Sequence, residues 1–175
     1  MAYTHEPGIV KGRNPEGALR RAIGEEIRRI LDQKKAEASL IEYFVLQNFG
    51  LDLAVFAKWA DNRSSIRFLE LKAFVGSRQG GVGLGNQRGE GSQIDLLLLG
   101  NQQLSMADQL IRWILVDGTA PKGGKRYALF DNKQAKNAAT GGLRRGKQNN
   151  LRVRELMRNA VSWDRLSEEL DHFLA

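Results

Sequence analysis

Glu70 and Lys72 stand two residues apart in Ile66-Arg67-Phe68-Leu69-Glu70-Leu71-Lys72-Ala73-Phe74-Val75, a run that otherwise reads as a buried strand. With period two, Ile66, Phe68, Glu70, Lys72 and Phe74 share one face, and Arg67, Leu69, Leu71, Ala73 and Val75 the other. Both faces are mostly apolar, so both are expected to be covered. A lone carboxylate or ammonium taken out of water there is costly. The pair must therefore be a structural salt bridge or part of a site that uses both charges. A third charge bears on that choice. Leu51–Trp59 also reads as a strand, and the turn Asp61-Asn62-Arg63-Ser64 joins the two runs in a hairpin. The hairpin brings Asp52, at the start of the first strand, toward Glu70 and Lys72, late in the second.

Rival chemistries have little to work with. The chain has no cysteine, which removes disulfides, thiolate metal sites and a Cys nucleophile, and its two histidines, His5 and His172, lie near the termini. Gly83-Leu84-Gly85-Asn86-Gln87-Arg88-Gly89 misses the dinucleotide-binding spacing by one residue, and no helix pattern follows it closely. The stretch from Gly118 to Arg126 lacks the first glycine of a P-loop, and Lys125 is followed by arginine instead of Ser or Thr.

The elements that would position the three charges can be read along the chain. Asn14-Pro15-Glu16 opens a helix running to about Lys35, with Leu19, Ala22, Ile23, Ile27, Ile30 and Leu31 as its apolar stripe. Glu37–Asn48 is read as helix, although Tyr43-Phe44-Val45-Leu46 has strand composition. After the hairpin, residues 76–93 form a long polar loop rich in glycine, followed by a short apolar element, Ile94–Leu99. A capping box at Ser105 to Asp108 predicts a helix ending near Gly118. Tyr127–Phe130 reads as a core strand. A strand, a long crossover containing a helix, and a second strand imply parallel pairing, hence an α/β domain. Helices are expected at Leu151–Val161 and, after Ser162 as N-cap, Trp163–Leu174. The 175 residues, 42% of them hydrophobic, suit a single domain, residues 1–175, with a basic helical C-terminal part.

Asp52, seventeen intervening residues and Glu70-Leu71-Lys72 in a hairpin resemble the active-site pattern of the PD-(D/E)XK nuclease superfamily, which includes many type II restriction endonucleases and Holliday junction resolvases. The resemblance covers roughly residues 16–130, and Leu51 stands where the pattern's name has proline. It implies a restriction-endonuclease-like core, a mixed central sheet flanked by helices, and a metal-dependent DNA endonuclease. A small type II restriction enzyme is the first expectation, a junction resolvase or repair nuclease the second. Asp52 and Glu70 would bind Mg²⁺, a hard cation that takes oxygen ligands, with Mn²⁺ as a substitute, and the Leu71 carbonyl would add a ligand by resemblance. Lys72 would orient or deprotonate the attacking water. In part of the superfamily a helix glutamate joins the metal. Glu42, and less readily Glu26, are the candidates here, against the plainer reading of each as a solvent-exposed helix charge. Gln93 is a further accessory candidate, or simply a cap.

Charge agrees with a polyanionic partner. Residues 1–118 carry 15 Lys/Arg against 14 Asp/Glu, whereas 119–175 carry 12 against 6. The basic surplus is C-terminal, which suits double-stranded or branched DNA, although an acidic protein would be attracted equally. Arg78, Gln79, Asn86, Gln87 and Arg88 in the glycine loop have the donors and acceptors to read base edges. Lys122, Lys125, Arg126, Arg144, Arg145, Lys147 and Arg152 would hold phosphates. A homodimer is expected, because cutting both strands of a duplex needs two sites. The N-terminus lacks an apolar leader and no run is long enough to span a bilayer, so a cytoplasmic protein with no membrane partner is expected. Outside the enzyme class, the same residues fit a basic nucleic-acid-binding protein in which Asp52, Glu70 and Lys72 form only a buried ion network.

Overall fold

The computed structural model describes residues 15–49, 51–74, 81–84, 109–118, 124–140 and 149–175. Helix α1 (Pro15–Ala36) begins on a proline, whose fixed φ and missing N–H suit a first helical position, and carries Glu16 in its first turn. Its stripe of Leu19, Ala22, Ile23, Ile27, Ile30 and Leu31 is buried as its spacing requires.

Five strands form a mixed sheet in the order β1-β2-β3-β5-β6: β1 (Leu40–Phe49), β2 (Leu51–Trp59), β3 (Ser64–Phe74), β5 (Ile111–Asp117) and β6 (Tyr127–Asp131). The hairpin expected from the sequence is present. β2 and β3 are antiparallel, with Phe56 opposite Ile66 and Leu53 opposite Leu69. β3 and β5 run parallel, with Glu70 opposite Trp113 and Lys72 opposite Leu115. β5 and β6 are antiparallel. Two short strands, β4 (Gly81–Gly83) and β7 (Asn150–Arg152), pair separately. Further helices among the described residues are α2 (Asn132–Ala138), α3 (Val153–Leu156), continued by a single 3₁₀ turn, and α4 (Trp163–Leu174). The α/β class with a mixed sheet flanked by helices therefore holds.

Two apolar clusters sandwich the sheet. One packs α1 and α4 through Leu19, Ile23, Ile27, Leu166 and Leu170 against Leu53, Val55, Leu69, Leu71 and Ile114. The other joins Phe74, Trp113, Leu115 and Phe130 to Val82, Leu84, Ala135, Leu151 and Val153. β3 is covered on both faces at its later end, as its composition demands.

Four expectations are corrected. Residues 40–49 are strand β1, not helix: alternation of half-buried Tyr43 and Val45 with exposed Glu42, Phe44 and Leu46 fits an edge strand lying under α1 on one face only. The helix expected to end near Gly118 is replaced over Ile111–Asp117 by β5, while 105–108 lie outside the described residues. An apolar run this short fits either period. Burial of every residue but Arg112 shows a strand covered on both faces. Tyr127–Asp131 is accordingly antiparallel to β5, and the parallel partner of β3 is β5. The helix expected at 151–161 shrinks to α3 and its 3₁₀ turn, because Asn150–Arg152 is taken up by β7.

Candidate metal and phosphate site

Antiparallel pairing of β2 with β3 is recorded as far as Leu53 opposite Leu69, one residue short of Asp52. Past that point the ladder is continued by a side chain: Asp52 Oδ2 accepts the Leu71 N–H at 2.8 Å. A strand residue directs its N–H and C=O to the same side, so the Leu71 carbonyl lies along the same edge. Beside it, Lys72 Nζ is 3.2 Å from Glu70 Oε1. The structure thus brings Asp52, Glu70, Leu71 and Lys72 together.

All three charged side chains are nearly out of water, with 9% of Asp52, 4% of Glu70 and 5% of Lys72 exposed. Burial pushes the Glu70 carboxyl up from its ordinary range to about 7. The nearby Lys72 charge opposes the rise, the Asp52 charge adds to it, and hydrogen bonds from Lys72 and the Asp52 backbone N–H oppose it.

Two further charged residues reach the site from α1, and the sequence reading did not include them. Arg20 donates from Nε to Asp52 Oδ1 at 2.8 Å, and its second nitrogen, Nη2, donates to the same oxygen. Glu16 Oε1 stands 3.9 Å from Lys72 Nζ. The signal was in the helix period: Glu16, Arg20, Ile23 and Ile27 lie on one continuous stripe, so the first two turns aim charges where later turns aim apolar side chains.

The accessory glutamates lie elsewhere. Glu42 is an exposed residue of edge strand β1, opposite Lys58. Its helical premise is gone, and nothing on β1 directs it to Asp52. Glu26 is buried, but it ties α1 to α4: Ser167 Oγ donates to its Oε1, as does Arg29 Nε at 3.1 Å. Of the residues expected to hold phosphates, three are described, and two of them hydrogen-bond within the chain. Lys125 is buried, 4% exposed. Arg126 Nε donates to the Ala160 carbonyl at 3.0 Å. Arg152 donates to the Asn137 carbonyl at 2.5 Å and pairs with Glu155 at 3.0 Å. Arg78, Gln79, Asn86, Gln87, Arg88, Gln93, Lys122, Arg144, Arg145 and Lys147 lie outside the described residues.

The donor set can be tested against a divalent cation. Among the described residues no group of three or more His, Asp or Glu gathers as a ligand cluster. Two carboxylates and a carbonyl do converge, all oxygen donors, which is the ligand type Mg²⁺ and Mn²⁺ prefer when water completes the shell. Glu70 is buried next to a second carboxylate, and burial disfavours its charged form, which an added cation would stabilise. The oxygen donors suit such an ion, and Arg20 is its competitor for Asp52 Oδ1.

Compared with known proteins, the chain matches no family model, and neither a curated protein nor a solved structure matches it. The reading of the site therefore rests on its own geometry. No helix among the described residues is long and apolar enough to cross a membrane.

Proposed function

We propose that the protein is a divalent-metal-dependent DNA endonuclease of the PD-(D/E)XK type, with a restriction-endonuclease-like core and Asp52, Glu70 and Lys72 as its catalytic set. The observation that carries this reading is the convergence of these three buried charges across one hairpin, with Asp52 seated on the Leu71 N–H. Asp52, Glu70 and the Leu71 carbonyl would hold the ion. Bound there, it would supply Lewis-acid polarisation of a phosphodiester and neutralise charge at the leaving oxygen. The chain's own contribution is positional. Lys72, fixed by Glu70 on one side and Glu16 on the other, would orient a water for in-line attack and stabilise negative charge on the phosphoryl oxygens. Hydrolysis in this arrangement leaves a 5′-phosphate and a 3′-hydroxyl. A small restriction enzyme acting as a homodimer on duplex DNA is the first form of the proposal, and a junction resolvase or repair nuclease the second.

One observation favours a different class. Arg20 already neutralises Asp52, and Lys72 sits between two carboxylates, as in an ion network that needs no ligand. On this second reading the chain is a basic nucleic-acid-binding protein without catalysis. Incubation with supercoiled plasmid and Mg²⁺ or Mn²⁺ separates the two. Nicking by the wild type that is lost in Asp52→Ala and Lys72→Ala supports the nuclease. Binding without nicking in either metal removes it. Discrete fragments from duplex DNA point to restriction, and cutting confined to four-way junctions to a resolvase.

A further inference from the structure

We infer that Arg20 is a displaceable counter-cation: its guanidinium holds Asp52 Oδ1, and a divalent ion that takes that oxygen as a ligand has to expel it. The inference rests on the metal-site reading above and adds a residue that reading did not contain. Both Nε and Nη2 of Arg20 donate to one oxygen, Oδ1, and the Leu71 N–H takes the other. An ionised carboxylate offers about four lone-pair positions over its two oxygens. Arg20 thus fills Oδ1, and the backbone leaves Oδ2 one free position in a buried corner. A cation that uses Asp52 as a ligand must compete for the oxygen the guanidinium holds.

Charge points the same way. With every group ionised, Asp52, Glu70 and Glu16 oppose Arg20 and Lys72, which leaves one negative charge in excess. Adding a divalent ion beside a retained Arg20 would overshoot to one positive charge. Expelling Arg20 brings the cluster to neutrality, the arrangement a low-dielectric site tolerates best. Exposure decides which of the two cations leaves. The Arg20 side chain is 25% accessible and the Lys72 side chain 7%, so Arg20 can swing to solvent at little desolvation cost while Lys72 stays between its carboxylates. Once freed at the rim, a guanidinium one turn into α1 is suited to bidentate capture of a phosphate oxygen pair. Metal entry would then arm a phosphate contact that is masked in the metal-free protein.

The test is a titration of the full chain with Mn²⁺ and Mg²⁺ by calorimetry, comparing wild type, Arg20→Met, Arg20→Lys and Asp52→Asn. Arg20→Met is expected to bind the ion roughly two- to fivefold more tightly than wild type, the equilibrium equivalent of losing a partly exposed competing ion pair. Arg20→Lys, which keeps the charge without the fork, should fall between them and guards against a folding defect in the methionine variant. In the wild type, the Arg20 Nε–H nitrogen resonance should show slow hydrogen exchange that becomes fast on adding Mg²⁺, a change a purely structural ion pair would not undergo. Equal or weaker ion affinity in both Arg20 variants, with binding still abolished in Asp52→Asn, overturns the role of Arg20 alone. Absence of ion binding in wild type and Arg20→Met alike overturns this inference together with the metal-site reading.

Discussion

Asp52 and Leu71 are joined by a hydrogen bond from backbone to side chain, Leu71 N–H to Asp52 Oδ2 at 2.8 Å, at the point where the β2–β3 ladder runs out. The bond makes one residue both a structural cap and a candidate ligand. Leu71 N–H is buried, and a buried donor left unpaired costs about 1 to 3 kcal/mol. Asp52→Ala should therefore lose stability as well as nicking. Asp52→Asn should keep the Leu71 bond by turning its carbonyl inward while losing the attraction to Arg20. Chemical denaturation is expected to rank wild type above Asn above Ala, whereas plasmid nicking should be absent from both variants. Nicking by Asp52→Asn within tenfold of wild type would remove Asp52 from the chemistry.

Lys72 is expected to matter to rate more than to fold. Lys72→Ala should lower nicking by roughly a hundredfold or more, in the range found when a positioned acid–base or charge-stabilising group is deleted. It leaves Glu70 buried without its nearest cation, so Lys72→Met with Glu70→Gln is the control that removes both charges. That double variant should fold at least as well as Lys72→Ala, since deleting a buried pair is milder than stranding one partner. Retained nicking in Lys72→Ala, measured at saturating Mg²⁺, would contradict the role assigned here.

The raised Glu70 pKa makes a pH prediction for the protein stripped of divalent ions. The folded carboxyl titrates at about 7, above the ordinary value of 4.5. The folded state thus holds a proton that the unfolded chain releases. The stability this gives is fully present below the unfolded pKa and is lost as pH rises through about 7. Thermal scans in chelator should show stability from this group falling between those two values. Glu70→Gln, which cannot ionise, should flatten that part of the profile. Divalent ions compete with the proton, so their stabilisation should be larger at pH 8 than at pH 5. A profile identical in wild type and Glu70→Gln would contradict the shift.

The hairpin and its three charges were legible because the β-period and the turn residues at Asp61–Ser64 agree with each other and need no distant partner. α1 and α4 were legible because their apolar stripes run for several turns, whereas the α/β class was inferred from a parallel pairing of Tyr127–Phe130 that β5 makes instead. What was missed was decided by neighbours. Tyr43 and Val45 become strand residues because β2 pairs with them and α1 covers one face, and neither fact is local to 40–49. Ile111, Ile114 and Leu115 fit the helical period by coincidence in a run buried on both faces. Arg20 and Glu16 were overlooked because a charge in the first two turns of a helix ordinarily faces water. Only the end of β2 beneath them makes their position functional.

Glu26 supplies a prediction in which stability and chemistry separate. It is 6% exposed and receives hydrogen bonds from Ser167 and Arg29, linking α1 to α4 at a distance from Asp52 in the sequence and on a helix turn beyond Arg20. Glu26→Ala strands two donors, one of them a partly buried guanidinium, and should cost about 2 to 4 kcal/mol. Ser167→Ala removes one neutral donor from a carboxylate that keeps Arg29, and should cost about 1 kcal/mol. Neither residue touches the candidate site, so nicking per folded molecule, assayed well below the melting transition, should be unchanged in both. A selective loss of nicking in Glu26→Ala at full folding would return this glutamate to the site.

Strand β1 offers the last prediction. It forms one edge of the sheet, its only charged residue is Glu42, and Phe44 is 61% exposed with Leu46 at 40% beside it. Its irregularity is confined to Leu40–Glu42, so Tyr43–Phe49 presents a regular edge without proline or lysine, the devices that usually keep such an edge from pairing with another chain. Self-association through this strand is the expected consequence. Phe44→Lys places a positive charge on the exposed face at the loss of one cross-strand contact with Phe56, so its stability should stay within about 1 kcal/mol of wild type. Sedimentation velocity over a concentration series should show the wild type associating and Phe44→Lys associating less. If the variant and wild type sediment identically at every concentration, the edge is protected by residues outside those described, and the two sites a duplex cutter needs must be brought together by another surface.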